Sequence, residues 1–169
     1  MNTINEKDLI YLAGFVDGDG SIIAKFIYHK DYVKTRPYQI SLTVQVTQKT
    51  TRKWFLEEIK NIIGEGNVNT RKSEMTVSDY TLVGPAPVCK FLKQIQPYLR
   101  LKKKQANLVI RITEQLPNSQ DPEKFYELCQ LVDQVSALND SKIRVVTADI
   151  VISSIKEALK EIVPVETEE

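Results

Sequence analysis

The sequence predicts an α+β fold, and three observations carry that prediction. The chain opens with apolar residues at helical spacing: Leu9, Leu12, Ala13 and Val16. It continues into alternation of period two, clearest in Gln39-Ile-Ser-Leu-Thr-Val-Gln-Val-Thr47, where every second residue is apolar. From Pro85 onward only helical periodicity is found. Strand runs held between helices fit two antiparallel hairpins side by side, a four-stranded sheet with helices packed on its apolar face.

The elements follow in order. The first helix carries Gly14 and Gly18 four residues apart, and so on one face. Glycine costs about 1 kcal/mol relative to alanine inside a helix, so the pair predicts close approach of a second backbone. The helix runs into Asp17 and Asp19, where the macrodipole is negative and carboxylates are disfavoured. A cation is therefore expected beside them, and a metal site built on an interface is the resulting expectation.

A first strand spans Ser21–Tyr28, a polar connection Lys30–Pro37, and a second strand Gln39–Thr47. A helix from about Thr51 to Ile63 has Trp54, Phe55, Ile59, Ile62 and Ile63 as its expected apolar face and stops at Gly64. Asn67–Arg71 and Thr76–Val83 form the second hairpin. Helices are then expected from Pro85 to about Tyr98, Lys104 to Leu116, Pro122 to Leu138 and Thr147 to Val163. Asp121-Pro122 is a strong start signal, an N-cap acid before a proline at the first helical position. Residues 1–169 read as one domain, with a core at about 7–138 and a C-terminal helix at about 147–163.

The composition, 42% hydrophobic and 27% charged, is that of an ordinary globular protein. No apolar run approaches the roughly 18 residues that span a bilayer, and Met1-Asn-Thr-Ile-Asn-Glu6 lacks a signal-peptide pattern. No membrane association is expected. Cys89 and Cys129 lack metal-binding or redox spacing and read as reduced core thiols, which favours a reducing compartment. The net charge of +1 conceals segregation. Residues 22–54 hold seven basic residues against Asp31 alone, and residues 55–120 are net +4. The ends offset this, at −3 for residues 1–21 and −6 for residues 121–169. A basic middle between acidic ends suggests a polyanionic partner.

One sheet face carries amides, hydroxyls and basic groups: Lys25, Gln39, Ser41, Thr43, Gln45, Asn69 and Arg71. Such side chains can read base edges in a major groove, where a β-ribbon fits. Arg100-Leu-Lys-Lys-Lys104 is a compact basic run suited to phosphate or to solvent, and His29 lies in a polar loop where a nucleic-acid contact is possible. Asp17-Gly-Asp-Gly-Ser21 is not a calcium loop. Ile22 falls where that loop requires glycine, and Tyr28 falls where it requires the bidentate glutamate. No Ser/His/Asp or Cys/His nucleophile arrangement, P-loop or zinc spacing is present in the sequence.

Leu12-Ala-Gly-Phe-Val-Asp-Gly-Asp-Gly20 resembles the signature of the LAGLIDADG homing endonucleases, each position matching or carrying a similar residue. The element order fits that family's αββαββα core, and one motif corresponds to its single-motif, homodimeric form. The resemblance extends through Gln45-Val-Thr-Gln-Lys-Thr50, Arg52-Lys-Trp-Phe-Leu56, Ser78-Asp-Tyr80, Lys102-Lys-Lys-Gln-Ala-Asn-Leu108 and Ala137-Leu-Asn-Asp-Ser-Lys142. These blocks look like enzymes encoded in chloroplast ribosomal-RNA introns of green algae, so chloroplast localisation is implied.

The resemblance then implies roles. Asp19 corresponds to the metal-binding catalytic carboxylate, and Gly18 to the residue lending a backbone carbonyl to the metal. Gln48, Arg52 and Lys102 correspond to groups that organise water and stabilise charge near the scissile phosphates. Asp17 fits a structural or capping role better than direct ligation. The sheet positions above correspond to the DNA-reading face, which gains Ile27, Tyr32, Asn67, Asp79 and Thr81, with Lys104 and Lys142 as further DNA contacts. Leu12, Ala13, Gly14, Val16 and Asp17 are expected at the dimer interface.

The implied activity is Mg²⁺-dependent hydrolysis of both strands of a long, nearly palindromic target, with Mn²⁺ as a substitute and no organic cofactor. The alternative is a non-cleaving binder, an intron-splicing maturase or a DNA-binding regulator, which needs the basic surface but not the acid. Joint retention of Asp19, Gln48, Arg52 and Lys102 favours cleavage.

Overall fold

In the computed structural model, Asn5 starts the first helix by accepting the Asp8 N–H at 2.9 Å through its side chain. Residues 3–31, 36–140 and 145–162 are described; the sequence-predicted contacts Tyr32 and Lys142 lie outside them. The order is α1 (Glu6–Asp19), β1 (Gly20–Tyr28), β2 (Tyr38–Lys49), a 3₁₀ turn (Thr50–Arg52), α2 (Lys53–Ile63), β3 (Asn67–Thr70), β4 (Val77–Val83), α3 (Pro85–Ile95), α4 (Lys103–Gln115), α5 (Pro122–Leu138) and α6 (Ala148–Ile162). The four strands form one antiparallel sheet in the order β1-β2-β4-β3, the predicted pair of hairpins joined through β2 and β4.

Residues paired across an antiparallel ladder point to the same face, so the register sorts the side chains. On the helix side, Ile22 pairs Val44, which pairs Leu82, and Ala24 pairs Leu42. All five are buried, in a core shared with Leu12, Val16, Leu56, Ile59, Phe91 and Leu92. On the other side, Ser21 pairs Gln45, Gln45 pairs Thr81 and Thr81 pairs Asn67, a polar row running across all four strands. Lys25 with Ser41, and Thr47 with Asp79 and Asn69, add shorter rows to the same face.

The expectation of a freely exposed polar face is corrected in part. Thr43 is buried and Gln45, Thr47 and Asp79 are half-buried. Thr43 sits between Ile23 and Val83 in the register.

The helix faces also differ from expectation at two residues. Trp54 is exposed, whereas Leu56 is fully buried. Leu56, Ile59 and Ile63, spaced three and four apart within α2, share the face toward the sheet, and Trp54, two residues before Leu56, lies on another. Gly64 closes α2 with φ 83° and donates its N–H to the Lys60 carbonyl, a left-handed cap that favours glycine.

The outer edge of β1 is covered by the end of α5 and the residues after it. Asn139 Nδ2 donates to the Ile22 carbonyl at 2.9 Å and Ser136 Oγ to the Ala24 carbonyl at 3.4 Å. Edge carbonyls satisfied in this way offer no template for another strand. Among the described residues no helix is long and apolar enough to cross a membrane. Both cysteines are free thiols, and burial pushes the Cys129 thiol up to about 12, so it stays protonated.

Candidate active site

α1 delivers its acids to one end of the sheet. Asp19 is the last helical residue, and Gly20 begins β1 by donating its N–H back to the Val16 carbonyl. A Cβ on Gly20 would lie 2.7 Å from the Val16 Cα, so the helix-to-strand corner itself requires glycine. The corner points the Asp19 carboxylate outward, into an open groove of about 700 Å³ whose lining includes Gly18, Asp19, Ser21, Lys25, Lys102 and Asn139.

Asp19 is the exposed end of a three-residue relay. Gln48 Nε2 donates to Asp19 Oδ2 at 2.8 Å, and Arg52 Nη1 donates to Gln48 Oε1 at 2.8 Å. Gln48 is 8% exposed, because β2 continues two residues beyond Thr47 and sets Gln48 on the same face as Val44 and Val46. Its amide is thus a buried connector between a surface carboxylate and a surface guanidinium. The alternation already contained this signal, as a polar residue at the next inward position after Val46.

The second acid has another task. Asp17 Oδ2 accepts the Arg100 N–H at 2.8 Å and Oδ1 the Lys102 N–H at 2.9 Å. Burial opposes ionisation of this carboxyl, but the backbone N–H groups of Lys102, Arg100 and Leu101 outweigh it and hold the group below its usual range. Lys102 Nζ in turn donates to the Asp17 carbonyl at 2.6 Å. The cation expected at the negative pole of α1 is therefore supplied, within the chain, by Lys102. The same clasp brings Lys102 to the groove of Asp19.

The predicted interface set divides between two sides of α1. Leu12, Ala13 and Val16 are buried in the chain's own core, against residues that include Val44, Val46, Tyr80 and Phe91, and leave almost no surface for a second molecule. The carboxylate of Asp17 is committed to the Arg100–Lys102 turn. The apolar stripe read as an interface is covered by the sheet and by α3. Besides Glu6 and Asp19 at its ends, α1 leaves Lys7, Ile10, Tyr11, Gly14 and Gly18 exposed, and a Cβ at either glycine would meet nothing within 4 Å. Tyr11, Phe15, Phe55 and Trp54 extend that face as a run of ring contacts 5.0–6.3 Å apart.

Of the predicted DNA contacts, Lys25, Ile27, Asn67, Asn69 and Lys104 are exposed, and His29, Gln39, Ser41 and Thr81 are half-buried. Arg71, Asp79 and Gln45 are joined to one another. Arg71 Nε and Nη2 donate to the two Asp79 oxygens at 2.6 and 2.8 Å, and Gln45 Nε2 donates to Asp79 Oδ1 at 3.0 Å. The Arg71 guanidinium holds the Asp79 carboxyl below its ordinary value against burial, with Thr47 and Gln45 assisting. Sequence reasoning missed Asn139, which bonds the β1 edge, and Thr50, Thr70 and Ser78, whose short polar side chains carry no pattern until the fold brings them together.

The donors around Asp19 are hard oxygens, the carboxylate and the helix-end carbonyl of Gly18, which suit a small divalent cation. Among the described residues no three His, Cys, Asp or Glu side chains converge.

Comparison with known proteins agrees with this arrangement. The family model described as "LAGLIDADG endonuclease" matches residues 12–110. The DNA endonuclease I-CreI of Chlamydomonas reinhardtii is 54% identical over 153 residues, which cover 89% of this chain and 91% of that protein. The DNA endonuclease I-CvuI of Chlorella vulgaris is 38% identical over 161 residues, 95% of each chain. A crystal structure of I-CvuI, bound with magnesium to the uncleaved I-CreI target, superposes with a TM-score of 0.85 at 36% identity over 90% of this chain and 95% of that one. This chain belongs to the LAGLIDADG endonuclease family.

Proposed function

We propose that the protein is a divalent-metal-dependent, site-specific homing endonuclease that hydrolyses both strands of a long, nearly palindromic DNA target as a homodimer. The observation that carries this reading is the relay from Arg52 through buried Gln48 to exposed Asp19. Such an arrangement holds a carboxylate ready for a ligand that the chain does not itself provide.

Asp19 and the Gly18 carbonyl would hold Mg²⁺, with Mn²⁺ accepted for its similar preference for oxygen ligands. When bound, the metal neutralises phosphate charge and lowers the pKa of its water. The chain's own groups do the rest. Gln48 fixes the Asp19 carboxylate through Oδ2, and among the described residues Oδ1 accepts no hydrogen bond. Arg52, anchored through one nitrogen, keeps its other N–H groups for phosphate oxygens or ordered water. Lys102, fixed at the end of α1, adds a second positive charge beside the groove.

Two copies related by a two-fold axis would meet through the exposed Ile10, Tyr11, Gly14 and Gly18 face, placing one Asp19 for each strand. The polar rows of the two sheets would then read the two half-sites. The green-algal sources of I-CreI and I-CvuI support a chloroplast setting.

Incubation with the uninterrupted intron-insertion sequence and Mg²⁺ tests the reading. Wild-type protein is expected to cut both strands. Asp19→Asn should abolish cutting and largely spare binding, because the phosphate and base contacts lie elsewhere. A wild-type protein that binds this DNA and never cuts it overturns the proposal.

A further inference from the structure

Behind the Gln48–Arg52 relay runs a chain of hydroxyls, buried at Ser78 and half-buried at Thr50 and Thr70, whose direction is determined by donor and acceptor capacity. Gln48, Ser78 and Thr70 pair across β2, β4 and β3, so all three lie on one face at the end of the sheet. Ser78 is fully buried. Thr50 Oγ1 donates to the Met75 carbonyl at 2.8 Å and lies 2.9 Å from Ser78 Oγ. Ser78 Oγ is 3.0 Å from Thr70 Oγ1, which accepts from Lys53 Nζ at 3.1 Å.

A hydroxyl has one proton to give, an ammonium only donates and a carbonyl only accepts. Thr50 spends its proton on Met75, so Ser78 donates to Thr50 and Thr70 donates to Ser78. The order is therefore Lys53 to Thr70 to Ser78 to Thr50 to the Met75 carbonyl. The Thr50 N–H adds a bond to the Thr76 carbonyl at 2.7 Å.

The two ends of this chain close around Arg52. Thr50 and Lys53 flank it in sequence, one on the 3₁₀ turn and one at the first position of α2. Met75 and Thr76 belong to the connection between β3 and β4, beside the proposed DNA-reading face. We propose that the Thr70–Ser78–Thr50 hydroxyl chain is a positioning device for cleavage. It fixes the backbone on either side of Arg52, so that the guanidinium meets Gln48, and it ties that geometry to the β3–β4 hairpin. The inference rests on the endonuclease reading of Arg52 and Gln48.

The test is single-turnover cleavage at saturating protein and Mg²⁺, with DNA binding measured in the Asp19→Asn background and Tm recorded for each variant. Thr50→Val, which keeps the shape of the side chain and loses its hydroxyl, and Ser78→Ala should each slow cleavage about tenfold, the usual scale for a supporting hydrogen bond behind a reactive group. Binding should be nearly unchanged, and Thr50→Ser should restore most of the rate.

Neither substitution should slow cleavage further in an Arg52→Ala background, since all act through one group. Thr50→Val decides the matter even if Ser78→Ala fails to fold. Wild-type rates in Thr50→Val beside a slow Arg52→Ala overturn the inference. So does an undiminished effect in the Arg52→Ala background, which marks a purely structural role. An Arg52→Ala protein that cuts at the wild-type rate overturns the endonuclease reading of Arg52 instead.

Discussion

At the scale of single residues, similar side chains have been given opposite tasks by their partners. Asp17 and Asp19 are two residues apart, yet one carboxylate is filled by the N–H groups of Arg100 and Lys102 and the other is filled on one oxygen only. Asp79 is a third case, a carboxylate locked by Arg71, Thr47 and Gln45. Its pKa is lowered from an ordinary 3.8, first by the Arg71 hydrogen bond. A carboxyl depressed in the folded state contributes stability that is fully present above its unfolded pKa and lost as pH falls through the folded one. The Tm of wild type should therefore exceed that of Asp79→Asn at neutral pH. The two curves should converge only well below 3.8, as the pH falls through the depressed native pKa and the native carboxylate takes up its proton. Thermal melts across pH 7 to 2 check this; a gap that persists at the acid end would show that the group stabilises by shape and not by charge.

At the scale of elements, α1 separates the glycines of its motif by function. Gly20 is required inside the chain, because a Cβ there would strike Val16. Gly14 faces open space, and nothing in its own chain forbids a side chain. Gly14→Leu should then leave folding intact and raise helix stability by up to about 1 kcal/mol. It should abolish the close pairing of two α1 helices. Sedimentation beside a thermal melt separates these effects. A Gly14→Leu protein that remains a dimer and cuts normally would remove α1 from the interface.

The same helix shows how far the sequence could be read. Its helical character, its turn and the acids at its end were legible from periodicity and the motif. That Leu12, Ala13 and Val16 share a covered face was legible too; whether the chain's own core or a partner covers it was not. A helix packed on its own sheet and a helix awaiting a partner both show a stripe such as Leu12, Ala13 and Val16. Only the sheet and α3, brought back over α1, decide between them. Trp54 misleads for a related reason, since an aromatic residue in the first turn of α2 adds to the apolar pattern whether or not the sheet covers it. The Thr50, Thr70 and Ser78 cluster is invisible in one dimension because its members come from three elements and meet only through strand register.

At the scale of the whole molecule, the charge segregation seen along the chain becomes a division of labour across the sheet. The basic middle of the sequence, residues 22–120, supplies all four strands, the turn that carries Arg52 and the Arg100–Lys104 run. The acidic ends contribute α1 and the helices that cover the sheet edge. Affinity on such a surface should have two separable parts. Phosphate neutralisation releases counterions, so log K should fall linearly with log salt at a slope of about −0.9 per phosphate neutralised. Base contacts add sequence preference with little salt dependence. Lys104, exposed at the start of α4, is placed for the first part, and Asn67, exposed at the end of the Ser21–Gln45–Thr81–Asn67 row, for the second. Lys104→Ala should weaken binding to all sequences alike and flatten the salt slope by about 1 per site. Asn67→Ala should leave the slope unchanged and relax discrimination at one base pair in each half-site. Binding isotherms over a salt series, with single base-pair variants of the target, measure both. A common effect of the two substitutions would mean that the sheet binds by charge alone and that its polar rows carry no sequence information.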